Sequence, residues 1–183
     1  MELSMLRNDL AYIVTGAPGS GKTSIMNILS QKGLSFFDEP ARAIISEQRN
    51  IDGQGIYDRD PYLFKELMLS RAIYQYLKAK EARTVYFFDR GIPDMLAYSQ
   101  CFNLPSGAEQ KAAEIYRYNP IVFFAPSWEA IFSNDEDRKL SFNQAQEFGD
   151  NLKQAYQKQG YNLIELPAVS PEDRTDFILE HIE

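Results

Sequence analysis

The chain has 183 residues, of which 44% are hydrophobic and 25% charged, enough for one domain with a single core. Its net charge of −7, without a run of Lys or Arg, excludes a general nucleic-acid binder, which needs a basic surface. No apolar run approaches the ~20 residues of a membrane span. A lone cysteine is typical of a reducing compartment, so we expect a cytoplasmic protein in which Cys101 is a packing residue.

Five apolar segments alternate with amphipathic segments along the chain. The apolar segments predict β-strands at 10–16, 34–39, 84–89, 121–126 and 162–167. The intervening segments predict helices at 21–32, from about 41, at 60–82, 92–102, 107–118 and 141–160, and after 170. Strands without polar alternation are typical of sheets covered on both faces. The sequence therefore predicts one three-layer α/β domain over residues 1–183, with five parallel strands and helices on both faces.

The first predicted strand runs into a glycine-rich segment that matches the phosphate-binding pattern G-x-x-x-x-G-K-[ST] in full. In this P-loop pattern the backbone amides surround phosphate, the Lys contacts the β- and γ-phosphates, and the Thr hydroxyl binds Mg²⁺. We therefore expect Lys22 to be catalytic and Thr23 to be a metal ligand. The residues expected to bind ATP or GTP are Gly16, Ala17, Pro18, Gly19, Ser20, Gly21, Lys22, Thr23 and Ser24. The alternative is a turn that only joins strand to helix.

The third predicted strand ends in Asp89-Arg90-Gly91, and Asp94 follows. An acid after a buried strand next to the P-loop strand is the usual second anchor for Mg²⁺. We expect Asp89 to bind the metal and to be catalytic, and Arg90 to bind phosphate or a neighbouring carboxylate. The alternative is a helix cap with a surface ion pair, and a structural cap is an equally good interpretation of Asp94.

The second predicted strand ends in Asp38-Glu39-Pro40, and Arg42 lies in the first turn of the next helix. In a P-loop kinase the hydroxyl that accepts phosphate approaches this position, so we expect Glu39 to be a catalytic base or an anchor for the acceptor. The base is either Glu39 or Asp89. We expect Arg42 to bind the acceptor or to bridge phosphates. The alternative for Glu39 and Arg42 is an exposed acid–base pair.

Two further segments are expected to surround the acceptor. The polar segment 127–140 lies where small kinases have a lid, and it contains Arg138 and Lys139. We expect Arg138 to be catalytic by stabilising charge on the transferred phosphoryl group, and the alternative is a solvated helix face. The region from about 40 to 76 is expected to bind the acceptor, with these candidate contacts: Tyr57, Arg59, Arg71 and Tyr74.

Several motifs occur together over nearly the whole chain: GAPGSGKT, DEPAR, YFFDRGIPD, a D-x-x-R that ends at Arg138, and a Y-x-x-x-G-Y that begins at Tyr156. In this order they resemble the NadR-like AAA-type domain family. The resemblance implies a P-loop protein with a nucleoside-kinase-like fold, and the family includes the ribosylnicotinamide kinase domain of NadR proteins. DEP and DRG also resemble the E-P and [DE]-R-S motifs of deoxynucleoside kinases, which implies a base role for Glu39 and a phosphate contact for Arg90. Gly91 stands in place of the Ser.

These motifs favour an enzyme that uses Mg²⁺ and ATP to phosphorylate a hydroxyl of a small, nucleoside-like molecule. The alternative is a nucleotide-dependent ATPase switch without an acceptor. The absence of N-K-x-D argues against a GTPase, and the absence of an LSGGQ-like signature argues against a transporter ATPase. A kinase that inactivates an antibiotic would use the same chemistry. The sequence leaves open the acceptor, the choice between ATP and GTP, and whether the chain forms a homodimer, as related kinases often do.

Overall fold

The structure is a computed structural model that describes residues 5–132 and 140–182. Its strands within these ranges are β1 (Leu6–Arg7), β2 (Ala11–Gly16), β3 (Ser35–Phe37), β4 (Tyr86–Asp89), β5 (Tyr116–Arg117), β6 (Ile121–Ala125) and β7 (Asn162–Glu165). Its helices there are α1 (Lys22–Gln31), α2 (Pro40–Asn50), α3 (Pro61–Ala82), α4 (Asp94–Cys101), α5 (Gly107–Ile115), α6 (Phe142–Lys158) and α7 (Pro171–Leu179), with a 3₁₀ turn at Glu129–Ile131. None of the helices in these two ranges has both the length and the apolar character that crossing a membrane requires.

The described part of the chain builds a five-stranded parallel sheet in the order β3-β4-β2-β6-β7. The central strand is β2, in which Val14 pairs with Asp89 of β4 and Gly16 pairs with Ala125 of β6. Because parallel strands end at the same edge of a sheet, the segments that follow β2, β3, β4 and β6 emerge side by side. The predicted α/β fold of the P-loop class is confirmed.

Two hydrophobic cores cover the two faces of the sheet. Ile13 and Phe88 pack on one face with buried side chains of α3, α4 and α6. Tyr12 and Phe87, their neighbours in sequence, pack on the other face with buried side chains of α1 and α7. Full burial of each large apolar side chain contributes about 1.5–3 kcal/mol. This burial on both faces explains why the strands read as continuous apolar runs.

Side-chain caps begin three of the helices. The Asp60 side chain accepts a hydrogen bond from the backbone N–H three residues later, at 2.9 Å, and Pro61 follows it in the first turn of α3. Ser141 and Gln144 form a reciprocal capping box at the start of α6. Ser170 caps α7 in the same way as Asp60 caps α3. These local bonds satisfy N–H groups that the first helical turn leaves without a partner.

One predicted helix is too long, and a small sheet was missed. The helix expected at 107–118 ends at Ile115, and the next two residues form β5, which pairs in parallel with β1. The Tyr76 hydroxyl of α3 donates to the carbonyl oxygens of Leu6 at 2.7 Å and Arg117 at 3.0 Å, and so holds the two short strands together. This contact joins distant parts of the chain, so it overrides the local preference for helix.

Candidate active site

The phosphate loop connects the carboxyl end of β2 to the start of α1. Gly16 has a φ of +140°, and a Cβ at this position would lie 2.0 Å from the carbonyl oxygen of Ala125. Only glycine therefore lets β2 pass this close to β6 where the loop begins. Thr23 and Ser24 are exposed in the first turn of α1, so their hydroxyls are accessible to a ligand at the helix N-terminus.

The ammonium group of Lys22 lies among the atoms of its own loop. Its Nζ donates hydrogen bonds to the carbonyl oxygens of Gly16 at 3.1 Å and Ala17 at 2.8 Å, and to Ser20 Oγ at 3.3 Å. Lys22 and Ser20 are both buried. The loop therefore holds a fixed positive charge at the position where this motif binds phosphate.

Asp89 is a buried carboxylate at the end of β4. It is 8% exposed, and its Oδ1 has no hydrogen-bond partner among the described residues. Burial and, to a smaller extent, the nearby carboxylate of Glu39 raise the pKa of Asp89 to about 6, against the opposing effect of Lys22. Mg²⁺ prefers carboxylate and hydroxyl oxygens as ligands, so the orphaned Asp89 oxygen and the exposed Thr23 hydroxyl fit this ion.

Arg90 joins the end of β4 to the start of α2 through a buried ion-pair network. Its Nε donates to Glu39 Oε1 at 3.0 Å, and its Nη1 donates to Asp94 Oδ1 at 2.9 Å. All three side chains are at most 13% exposed, so Glu39 is not part of an exposed surface pair. Burial disfavours the charge on Arg90, but the carboxylates of Glu39 and Asp94 outweigh this effect and hold its pKa above the ordinary value.

The backbone of Arg90 is itself unusual. Its φ of +73° lies in the left-handed region. For a residue with a Cβ, this conformation is less stable than the right-handed one by roughly 1–2 kcal/mol. The two ion pairs and the Phe148 ring, whose centre lies 5.7 Å from the guanidinium carbon, offset this loss. Strain of this kind at a residue tied to two carboxylates is typical of functional sites.

Asp94 accepts four hydrogen bonds from different parts of the chain. Its Oδ1 accepts from Thr15 Oγ1 at 2.6 Å as well as from Arg90, and its Oδ2 accepts from the Gly91 amide at 2.9 Å and from the Tyr156 hydroxyl. The sequence left a structural cap and a functional role equally open for this residue, and it gave no sign of Thr15 or Tyr156. Asp94 thus fixes β2, the turn before α4, and α6 relative to Arg90.

Packing explains why Gly91 stands where the [DE]-R-S motif has Ser. A Cβ on Gly91 would lie 2.4 Å from Cδ1 of Ile13 and 3.1 Å from the hydroxyl oxygen of Tyr156. A serine here would therefore displace either the core of the sheet or the Tyr156 contact with Asp94. Glycine is the residue that this packing admits.

A cavity of about 740 Å³ opens beside the phosphate loop, a volume within the range of small-molecule sites. Pro18 of the loop, Glu39 and Arg90 are among the residues that line it. The remaining walls come mainly from α2, α3, α4 and α6, and their aromatic members are Tyr57, Phe64, Tyr98, Phe102 and Phe148. The cavity therefore connects the expected phosphate site to a largely apolar chamber.

The four candidate acceptor contacts between residues 57 and 74 lie in different environments. Tyr57 lines the cavity. Arg59 and Arg71 form ion pairs of 2.8 and 2.9 Å with acidic side chains at the surface. Tyr74 is 57% exposed. Of these four residues, the geometry favours Tyr57 alone as an acceptor contact.

Arg42 is not brought to the cavity, and of the expected lid segment 127–140 the described structure places Leu140 in the cavity wall. Arg42 is exposed on α2 and is not among the described residues that line the cavity. Arg138 and Lys139 lie outside the described residues.

The prediction that Cys101 is a packing residue is wrong, because this thiol is exposed at the cavity rim, where Asn151 Nδ2 donates to its Sγ at 3.5 Å. Cys101 ends α4, and the last two residues of that helix, Gln100 and Cys101, are exposed.

Arg174 of α7 is a residue that the sequence analysis missed. It is 2% exposed, and it donates from Nη1 to the Ser20 carbonyl at 2.8 Å and from Nε to the Pro167 carbonyl at 2.7 Å. Its guanidinium carbon lies 5.1 Å from the centre of the Trp128 ring. Arg174 thus joins the phosphate loop to the segments that follow β6 and β7. No sequence pattern connects Arg174 to Ser20, which is 154 residues away.

The parallel sheet and the loop between β2 and α1 define a P-loop protein with a kinase-like α/β fold. The chain belongs to the AAA domain family, whose family model matches residues 11–174. A comparison with curated protein sequences gave no match.

Several solved structures share the fold. A thymidylate kinase from Ehrlichia chaffeensis is 15% identical with a TM-score of 0.65, over 98% of this chain and 99% of that one. A deoxyadenosine kinase from M. mycoides is 16% identical with a TM-score of 0.64, over 93% and 97%. A shikimate kinase from Acinetobacter baumannii is 16% identical with a TM-score of 0.55, over 93% and 90%. At these identities the likeness concerns the fold alone.

Proposed function

We propose that this chain is an ATP-dependent P-loop kinase that transfers the γ-phosphoryl group to a hydroxyl of a nucleoside-like small molecule. The observation that carries the proposal is the cavity, which is lined both by Pro18 of the phosphate loop and by Glu39 and Arg90. An acceptor in this cavity would meet a nucleotide on the loop at those residues. A nucleotide-dependent switch has no need of a second chamber at this position.

The nucleotide half of the proposed site uses the loop and the end of β4. The loop amides and Lys22 would bind the phosphates, while Thr23 and Asp89 would hold Mg²⁺. The ion, when bound, supplies positive charge that neutralises the phosphate oxygens. We also propose Arg138 as a cation for the transferred group. Acting together, these charges position the γ-phosphoryl group and stabilise its transfer.

The acceptor half of the proposed site uses Glu39 and Arg90. The acceptor hydroxyl attacks the γ-phosphorus, its new P–O bond forms as the bond to the β–γ bridging oxygen breaks, and its proton passes to a carboxylate. We propose Glu39 for this role, with Asp89 as the alternative base. Because Arg90 binds Glu39 at 3.0 Å, the carboxylate is held in place before the acceptor arrives. The geometry favours Arg90 over the exposed Arg42 as the cation of this half.

The similar proteins support this proposal at two levels. The solved structures of similar fold are kinases whose names refer to deoxyadenosine, thymidylate and shikimate, so this fold serves phosphoryl transfer to several acceptors. The motifs DEPAR and YFFDRGIPD resemble NadR-like domains and deoxynucleoside kinases, which favours a nucleoside-like acceptor.

The test is ATP turnover measured with and without a panel of nucleosides and sugars. We expect one acceptor to raise turnover by about tenfold or more and to appear as a phosphorylated product by mass spectrometry. Glu39→Gln should remove the part of the ATP turnover that depends on the acceptor and should leave ATP binding intact. Glu47→Gln, a substitution of an exposed carboxylate on α2, the helix that begins directly after Glu39, is the matched control. ATP turnover that no acceptor raises and that Glu39→Gln does not lower would identify an ATPase switch instead.

A further inference from the structure

We propose that the acceptor is a ring compound of nucleoside type that carries no anionic group, and that Glu147 selects for this class. The inference rests on the kinase function proposed above and adds the chemical class of its acceptor. It excludes phosphate esters and carboxylic acids as acceptors. The argument combines the charges that line the cavity with the arrangement of its aromatic and polar walls.

The charged residues that line the described part of the cavity are mainly acidic. They are Glu39, Arg90, Asp94 and Glu147. Arg90 is the one cation in this set, and it already donates to both Glu39 and Asp94. Glu147 adds a further negative charge, so three carboxylates against one guanidinium give this set a formal charge of −2.

An anionic acceptor would therefore meet no uncommitted cation among these lining residues. To bind a phosphate or carboxylate, Arg90 would have to leave Glu39 or Asp94, and each of these carboxylates is at most 13% exposed. A buried carboxylate that loses its partner strongly destabilises the folded protein. This carboxylate would also repel the incoming anion. A neutral or cationic acceptor leaves the network of Arg90 intact.

The aromatic wall gives the acceptor its shape. The ring centroids of Tyr57 and Phe64 lie 6.3 Å apart, those of Phe64 and Tyr98 5.9 Å, and those of Tyr98 and Phe102 4.4 Å. All four side chains line the cavity, so they form one continuous aromatic wall. Such a wall favours a flat ring, which packs against aromatic faces and edges, over an acyclic polyol.

α6 contributes polar side chains to the lining of the cavity. Gln144, Glu147 and Asn151 all line the cavity, and their spacing of three and four residues places them on one face of this helix. Amide side chains offer both donors and acceptors to the substituents of a ring, whereas the carboxylate of Glu147 only accepts. Glu147 therefore favours a ring that presents hydrogen-bond donors or positive charge and disfavours a negative group.

The test uses binding, so that it does not depend on transfer. The protein is first saturated with Mg²⁺ and a non-hydrolysable ATP analogue. Calorimetry then compares adenosine, guanosine, cytidine and uridine with their 5′-monophosphates. We expect at least one nucleoside to bind, and its monophosphate to bind about tenfold or more weakly. A monophosphate that binds as tightly as its nucleoside, or a failure of all four nucleosides to bind, would overturn the inference. Selective binding without phosphoryl transfer would instead count against the proposed function alone.

The role of Glu147 is tested by reversing its charge. Glu147 is exposed, so Glu147→Lys should leave the melting temperature nearly unchanged. We expect this variant to narrow the preference for nucleoside over monophosphate by about fivefold or more, because the new ammonium attracts the phosphate. Asp150→Asn, a substitution of an exposed carboxylate on α6 that does not line the cavity, should leave the preference unchanged. An unaltered preference in Glu147→Lys would show that Glu147 does not select the acceptor.

Discussion

Arg174 donates a hydrogen bond to the carbonyl oxygen of Ser20 at 2.8 Å, and so ties the last helix to the phosphate loop. The same guanidinium donates to the Pro167 carbonyl, and burial lowers its pKa below the ordinary value for arginine. Hydrogen bonds from charged groups contribute about 1.5–3 kcal/mol each, so this contact is strong enough to fix the loop's position. The nucleotide site therefore depends on a residue far from it in sequence.

We first predict that Arg174→Met weakens nucleotide binding. Met retains most of the buried volume but loses both hydrogen bonds to carbonyl oxygens. We expect the dissociation constant for Mg²⁺-ATP, measured by calorimetry, to rise about tenfold. The control is Lys32→Met, which removes an exposed ion pair of 3.0 Å with Asp176 between α1 and α7. If Arg174→Met lowered the stability but left nucleotide affinity unchanged, Arg174 would serve only the packing of α7.

The second prediction concerns Trp128, the only tryptophan of the chain. Because Arg174 contacts both Trp128 and the phosphate loop, a ligand that shifts the loop alters the surroundings of the indole. Titration with Mg²⁺-ATP should change the tryptophan fluorescence until the signal saturates. The dissociation constant from this titration should equal the one measured by calorimetry. Lys22→Ala should show no change at the same ATP concentrations. Binding seen by calorimetry with constant emission would contradict the coupling.

Lys22→Ala should also abolish phosphoryl transfer with little loss of folding stability. The ammonium donates to carbonyl oxygens of its own loop, and Lys22 belongs to neither core, so its removal should leave both cores intact. Removal of one preorganised charge of this type typically lowers the rate by about a hundredfold or more. The measurement is product formation per enzyme, with circular dichroism to check the fold. Near-wild-type activity in a pure preparation would show that Lys22 does not contact the transferred group.

The fourth prediction concerns the pH dependence of stability and follows from Asp89. In the protein without metal or nucleotide, burial raises the pKa of Asp89 from 3.8 to about 6, so the folded state binds this proton more tightly than the unfolded state. The contribution of Asp89 to the free energy of unfolding therefore falls as pH rises from about 4 to about 6, by roughly 3 kcal/mol in total.

Asp89→Asn is the variant that isolates this effect, because Asn does not titrate. Urea unfolding at several pH values should show that the variant gains stability relative to the wild type as pH rises across that window. Asp9→Asn, a substitution of a carboxylate with a 62% exposed side chain, is the control. If the free energies of unfolding of Asp89→Asn and of the wild type changed with pH in parallel, the Asp89 carboxylate would already be stabilised in the folded state.

Much of the fold was predictable because its signals are local. The strands show as apolar runs, since each is covered on both faces. The caps of α3, α6 and α7 depend on residues three positions apart, so their pattern is visible in the sequence. The error at 107–118 arose where Tyr76 of a different helix holds β1 and β5, because a contact of this kind leaves no local pattern.

The sequence alone determined the phosphate loop, since Gly16 to Thr23 carry its chemistry and its backbone requirements in one contiguous segment. Only the tertiary structure decided which other residues join it. Arg90 meets Glu39 across 51 positions, and Arg174 meets Ser20 across 154. Such contacts form because a parallel sheet gathers the carboxyl ends of distant strands at one edge, and the spacing of residues along the chain does not specify which side chains touch there.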